Sequence, residues 1–76
     1  MPRIAPVHWK KLDCVFKKAG YKLHRTEGSH RAYFKEGSIR PLIIPTYDSI
    51  GPDIIKGLMR TANMSREKYF SLLSEC

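Results

Sequence analysis

The sequence predicts an α+β fold in which a three-stranded antiparallel meander packs on helices in the order α-β-β-β-α-α. Apolar residues first recur at helical spacing, then alternate with period two around glycine-containing turns, and return to helical spacing after Pro52. A sheet of this kind buries one face against helices. A chain of 76 residues supports one hydrophobic core, so we expect a single domain over residues 1–76.

The first helix is predicted from four apolar residues that share one helical face, namely Trp9, Leu12, Phe16 and Ala19. Lysines occupy the other faces of this segment. Gly20 stands where a glycine commonly terminates a helix in the left-handed conformation. We therefore expect the helix to end just before Gly20.

Two alternating runs, residues 21–26 and 30–35, flank Gly28 and Ser29 and predict a β-hairpin. The turn is either Glu27-Gly28, which pairs His30 with Arg25, or Gly28-Ser29, which pairs His30 with Glu27. Both turns leave the same side chains on one face, which we expect to meet the core. That set is Tyr21, Leu23, Arg25, His30, Ala32 and Phe34. His24 and Tyr33 are expected on the opposite face.

The remaining elements are a third strand and two helices. Residues 39–45 form the strand, and Pro41 places it at a sheet edge because proline lacks a ladder donor. The His30 strand is then central. Pro52 suits the first turn of the second helix, which Asn63 terminates, and Ser65 caps a short last helix. The apolar face of the second helix is Ile55, Leu58, Met59 and Ala62.

The charge of the chain predicts a polyanionic partner. Fourteen Lys and Arg oppose seven Asp and Glu, giving net charge +7. Nucleic acid is the leading candidate, because Lys and Arg that contact phosphates release counterions. No apolar run is long enough to span a membrane. Cys14 and Cys76 form no CxxC motif, so we expect free thiols in a reducing cytoplasm.

Gly28-Ser29-His30 is the candidate site. A glycine turn that presents a histidine on a basic surface suits acid–base chemistry on a phosphodiester, because imidazole exchanges protons near neutral pH. Cleavage of RNA also needs cations for the charge on the transition state. Arg25, Arg31 and Lys35 lie on or near the hairpin and are candidate phosphate contacts. The alternative is a hairpin turn followed by a packed or surface histidine.

Other polar and aromatic residues give weaker signals. His8 and His24 form no metal-ligand spacing with His30, so we expect no metal and no cofactor. Aromatic residues at strand spacing are typical of a core, and Phe34 is expected there. Tyr33 is more open to stacking on bases. Tyr21 and Tyr47 are the other candidates for base stacking.

Nearly the whole chain resembles the HicA toxins, the small mRNA interferases of HicA–HicB toxin–antitoxin pairs. The matching segments are Lys18-Ala19-Gly20-Tyr21, Gly28-Ser29-His30, Ile44-Pro45, Ile50-Gly51-Pro52, Leu58–Ala62 and Met64-Ser65-Arg66-Glu67. The resemblance implies a double-stranded-RNA-binding-like fold and metal-independent endoribonuclease action on mRNA. It also implies that His30 is the catalytic residue, that Gly28 and Ser29 position it, and that an acidic HicB antitoxin covers the site.

Three positions depart from the family pattern. Arg31 stands where many relatives carry a second histidine, and Pro45-Thr46-Tyr47 replaces Pro-x-His. Asn63 replaces a usual glycine. His30 is then the one motif histidine, and water or a lysine would fill the second catalytic role. Two other functions stay open: a non-catalytic RNA-binding module, and a basic protein that binds only an acidic protein.

Overall fold

The computed structural model describes residues 3–76, and its element order confirms the predicted α-β-β-β-α-α fold. The helices are α1 (Trp9–Lys18), α2 (Pro52–Thr61) and α3 (Arg66–Ser74). The strands are β1 (Lys22–Glu27), β2 (His30–Phe34) and β3 (Leu42–Pro45). They form one antiparallel sheet in the order β1-β2-β3, so the His30 strand is central and β3 is an edge, as predicted. The strand predicted over residues 39–45 begins only at Leu42, and Pro41 lies just before it.

The helix ends follow the predicted capping residues. The Ser65 hydroxyl accepts a hydrogen bond of 3.1 Å from the Lys68 amide at the start of α3. Gly20, with φ at +104°, follows α1, and Asn63, with φ at +52°, follows α2. Local side-chain chemistry therefore fixes where these helices begin and end.

The helices cover one face of the sheet. Tyr33, Leu42 and Ile44 point into this layer and are fully buried. They belong to one cluster of buried residues, which also includes Leu12, Val15, Phe16, Ile50, Ile55, Leu58, Met59, Tyr69 and Leu72. The opposite face, here called the open face, carries Phe34 and Ile43, which are 39% and 41% exposed.

The predicted facing of β2 is wrong. Tyr33 is buried, whereas His30 and Phe34 are exposed on the open face. The residues of β3 are all apolar, so their pattern does not show which face of the sheet is covered. Tyr33 can be buried because its hydroxyl has hydrogen-bond partners. A bulge at His24, between Leu23 and Arg25, also breaks the alternation of β1. His24 therefore lies beside Phe34, with ring centroids 4.8 Å apart, and not on the opposite face.

The prediction of free thiols is also wrong, because Cys14 and Cys76 form a disulfide. Helix α3 packs on α1, and this brings Cys76 beside the middle of α1. The Lys11 ammonium donates to the main-chain oxygen of Cys76 at 2.6 Å, next to the disulfide. The two cysteines are 62 residues apart, so their proximity follows from tertiary packing and not from any local motif.

Candidate active site

The Gly28-Ser29 turn is built by its glycine and anchored from outside the hairpin. Gly28 has φ at +56°, a conformation that residues with a side chain rarely adopt. Glu27 and His30 pair across the turn, which selects one of the two predicted registers. The Ser29 carbonyl accepts hydrogen bonds from the Thr46 amide at 2.7 Å and the Thr46 hydroxyl at 3.1 Å. The loop after β3 thus holds the turn that presents His30.

His30 lies at the start of β2 with its side chain on the open face. It lines a small depression of about 50 Å³ together with Arg25, Glu27, Ala32 and Ile43. An Arg25 Nη1 atom lies 3.3 Å from the Glu27 carboxylate, and both side chains are mostly exposed. The depression therefore combines an imidazole, a carboxylate and a guanidinium on a surface that solvent reaches.

Glu27 was not singled out as a functional residue by the sequence analysis. The sequence does contain an indication of its position, because one of the two possible hairpin turns pairs Glu27 with His30. A carboxylate that neighbours a histidine across a turn is a proton acceptor or donor within reach of the same ligand. The geometry of the turn adds this residue to the candidate site.

Arg31 and Lys35 lie elsewhere than this depression. Arg31 Nε donates to the Tyr33 hydroxyl at 3.1 Å, and its Cζ lies 4.8 Å from the centre of the Trp9 ring. This places Arg31 on the helix side of the sheet. Lys35 follows the far end of β2, with Nζ 5.8 Å from the Tyr21 ring. Of the three predicted phosphate contacts, the structure brings Arg25 to His30 and leaves the other two apart.

His8 has a structural role at the start of α1. Its Nδ1 accepts a hydrogen bond of 3.1 Å from the Lys10 amide, which caps the helix. Its Nε2 lies 3.4 Å from the Asp48 carboxylate. Within residues 3–76, no group of three or more His, Cys, Asp or Glu side chains is arranged to hold a metal ion.

A polar network lies under the sheet at Tyr33. The Tyr33 hydroxyl donates to the Asp13 carboxylate, which also pairs with Lys17 at 3.2 Å. Burial, together with the hydrogen bond to Asp13 and the negative charge of Asp13, raises the pKa of Tyr33 to about 12 against the smaller opposing effect of Arg31. This network fixes the inward side of β2 and hence the outward position of His30.

Tyr33→Phe is expected to lower the free energy of unfolding by about 1–3 kcal/mol at pH 7, because Asp13 and Arg31 lose a partner. The folded protein binds the Tyr33 proton more tightly than the unfolded chain. The contribution of the Tyr33 hydroxyl to the free energy of unfolding is therefore complete below pH 10 and is lost as the pH rises toward about 12. Urea unfolding at several pH values measures both effects. The gap between wild type and variant should narrow above pH 10; a constant gap would contradict this account. Tyr47→Phe, at an exposed tyrosine, is the control.

Within residues 3–76, no helix has the length and apolar character needed to cross a membrane.

Comparison with known proteins gives one family. The model of the family described as HicA toxin of bacterial toxin-antitoxin matches residues 9–64, from the start of α1 to the end of α2 and the turn after it. No curated protein matches the chain. The family match covers well over half of the 76 residues and includes the whole hairpin with Gly28, Ser29 and His30. The chain therefore belongs to the HicA family of RNase-type toxins, which act in toxin–antitoxin systems with HicB-type antitoxins as partners.

Proposed function

We propose that this toxin is a metal-independent endoribonuclease that cleaves mRNA, with His30 as its general acid or base. The observation that carries the proposal is the depression in which the exposed His30 lies beside Arg25 and Glu27. The net charge of +7 supports a polyanionic substrate. The position of His30 within the region matched by the family model supports its role as the motif histidine.

The reaction requires two proton transfers and stabilisation of charge. A base takes the proton of the ribose 2′-hydroxyl, and the 2′-oxygen attacks phosphorus. The bond from phosphorus to the 5′-oxygen breaks, and an acid protonates that oxygen. His30 takes one of these roles, and Glu27 is the neighbouring group that takes the other. Arg25 supplies positive charge for the pentacoordinate transition state.

Gly28 and Ser29 act through position and not through chemistry. Gly28 allows the tight turn, and the two hydrogen bonds from Thr46 to the Ser29 carbonyl restrain it. A catalytic imidazole must be held within a small distance of its productive position, because misplacement lowers the rate steeply. Thr46 lies in the Pro45-Thr46-Tyr47 segment where relatives carry a histidine, and in this chain it serves as the anchor of the turn.

The open face also supports contacts to bases near the cleaved bond. Phe34 is exposed beside His24 on the same face as His30, so base stacking falls to Phe34 and not to the buried Tyr33. A HicB-type antitoxin that covers the depression would block the substrate, and an acidic surface on it would complement the toxin. The cytoplasmic location of this activity is part of the same proposal and rests on mRNA as the substrate.

The test is cleavage of a defined RNA in the presence of EDTA, compared with the same RNA carrying one 2′-deoxy residue at the cleaved position. We expect the wild-type protein to cut the first RNA and to spare the substituted bond, since the nucleophile is then missing. Loss of cleavage in EDTA would contradict metal independence. Cutting at the 2′-deoxy position would contradict attack by the 2′-oxygen. Binding of both RNAs without cleavage would instead support the non-catalytic RNA-binding module.

A further inference from the structure

A second concave surface lies at the opposite end of β2 from His30. It is a cleft of about 440 Å³ whose walls include Lys18, Lys35 and Lys68. These lysines come from three different elements: the end of α1, the residue after β2 and the first turns of α3. We call this surface the lysine cleft. Among the described residues that line it, none is acidic.

Three ammonium groups around one concave surface repel each other, and an anion within it would relieve that repulsion. The neutral side chains of Asn63 and Ser65 line the same cleft and offer hydrogen bonds. Glu36 lines the neighbouring hollow together with Lys35 and is not among the residues of the cleft. The electrostatics of the cleft therefore favour a ligand with negative charge.

Contacts with neighbouring residues restrain the Lys35 side chain in the cleft. Its stem crosses Gly20 so closely that a Cβ there would lie 3.2 Å from Lys35 Cε. Its ammonium group lies 5.8 Å from the Tyr21 ring, within reach of a cation–π contact. A lysine held in this way loses less conformational freedom when it binds a phosphate than a freely extended one does.

We infer that the lysine cleft binds the phosphate backbone of the RNA substrate several nucleotides away from the scissile bond. The inference rests on the proposed function and extends it from the cleaved bond to the path of the substrate. Lys35 stands just after β2, five positions beyond His30, which corresponds to roughly 16 Å of extended chain. A stacked RNA strand covers that distance with about five nucleotides.

The test compares two triple variants that remove the same charge. One is Lys18→Gln/Lys35→Gln/Lys68→Gln, and the control is Lys10→Gln/Lys22→Gln/Lys56→Gln, at exposed lysines outside the cleft. Binding of a single-stranded RNA of twenty nucleotides is measured over a range of salt concentrations, in a His30→Ala background that slows cleavage. Circular dichroism confirms that each variant is folded.

We expect the cleft variant to bind RNA at least about tenfold more weakly. The slope of log K against log salt, which is negative, should become about 2 less steep, since three phosphate contacts are lost. The control should change the slope by less than 1. Equal losses in the two variants would overturn the inference, because the effect would then be one of net charge. Weaker binding of an acidic protein with unchanged binding of RNA would overturn it as well, and would assign the cleft to a protein partner.

The cleavage assay separates this inference from the proposed function. With His30 restored, the cleft variant should lose more kcat/KM on the RNA of twenty nucleotides than on a trinucleotide that contains the cleaved bond. The same loss on both substrates would overturn the inference while the endoribonuclease function stands. Absence of cleavage by the wild type would end the proposed function, and the salt slope would still decide whether the cleft binds RNA.

Discussion

Replacement of His30 by alanine is expected to slow RNA cleavage by about 10²–10⁴-fold, the contribution that a positioned general acid or base commonly makes. The side chain is exposed, so the free energy of unfolding should change by no more than about 0.5 kcal/mol. His24→Ala is the matched control, because His24 lies on the same face of the sheet beside Phe34. It should cleave within a few fold of the wild type. Undiminished cleavage by the His30 variant would remove this residue from the mechanism.

Replacement of Glu27 by glutamine tests the partner of His30 in the same reaction. Glu27→Gln keeps the shape of the side chain and removes the carboxylate that would transfer the second proton. We expect this variant to lose much of the rate of cleavage. An unchanged rate would assign the second role to water or to a lysine.

Features governed by local chemistry were predictable from the sequence. Gly20 and Asn63 take left-handed conformations after their helices, and Ser65 caps α3 through its own hydroxyl. The Gly28-Ser29 turn and the central position of β2 were predictable for the same reason. A turn, a cap or an edge proline depends on residues within a few positions of one another, and these positions stand together in the sequence.

The facing of β2 was not predictable, because it is decided between strands. Leu42, Ile43 and Ile44 are all apolar, so β3 gives no sign of which side is covered. Tyr33 is buried because Asp13, far away in the sequence, accepts its hydrogen bond. The bulge at His24 shifts the remainder of β1 by one residue. These features depend on tertiary packing, and a pattern of alternating residues does not predict them.

The candidate site was predictable in part for the same reasons. His30 and Arg25 share one face whichever register the hairpin takes, and the structure brings them together. Arg31 alternates with His30 and therefore lies on the side that turned out to be covered by helices. The lysine cleft combines residues from α1, from the segment after β2 and from α3, so it exists only once the helices are packed.

Reduction of the Cys14–Cys76 disulfide is expected to lower the free energy of unfolding by about 2–4 kcal/mol. The bond joins residues 62 apart, and a loop of that length restricts the unfolded chain by about 4 kcal/mol in the chain-entropy model. Packing of Tyr69 and Leu72 holds α3 in the core without the bond, so the protein should stay folded at room temperature.

Thermal unfolding with and without dithiothreitol measures this effect, with Cys14→Ser/Cys76→Ser as the control that a reductant cannot alter. For a domain of this size each kcal/mol corresponds to about 4–8 °C in Tm. Equal Tm values for the oxidised wild type and the double variant would show that the bond contributes nothing.

The start of α3 is held separately, by the Ser65 cap and by the hydrogen bond from the Met64 amide to the Met59 carbonyl. Reduction should therefore loosen the end of α3 near Cys76 first and leave Lys68 in the lysine cleft. Faster amide exchange confined to the last turn of α3 would show this division.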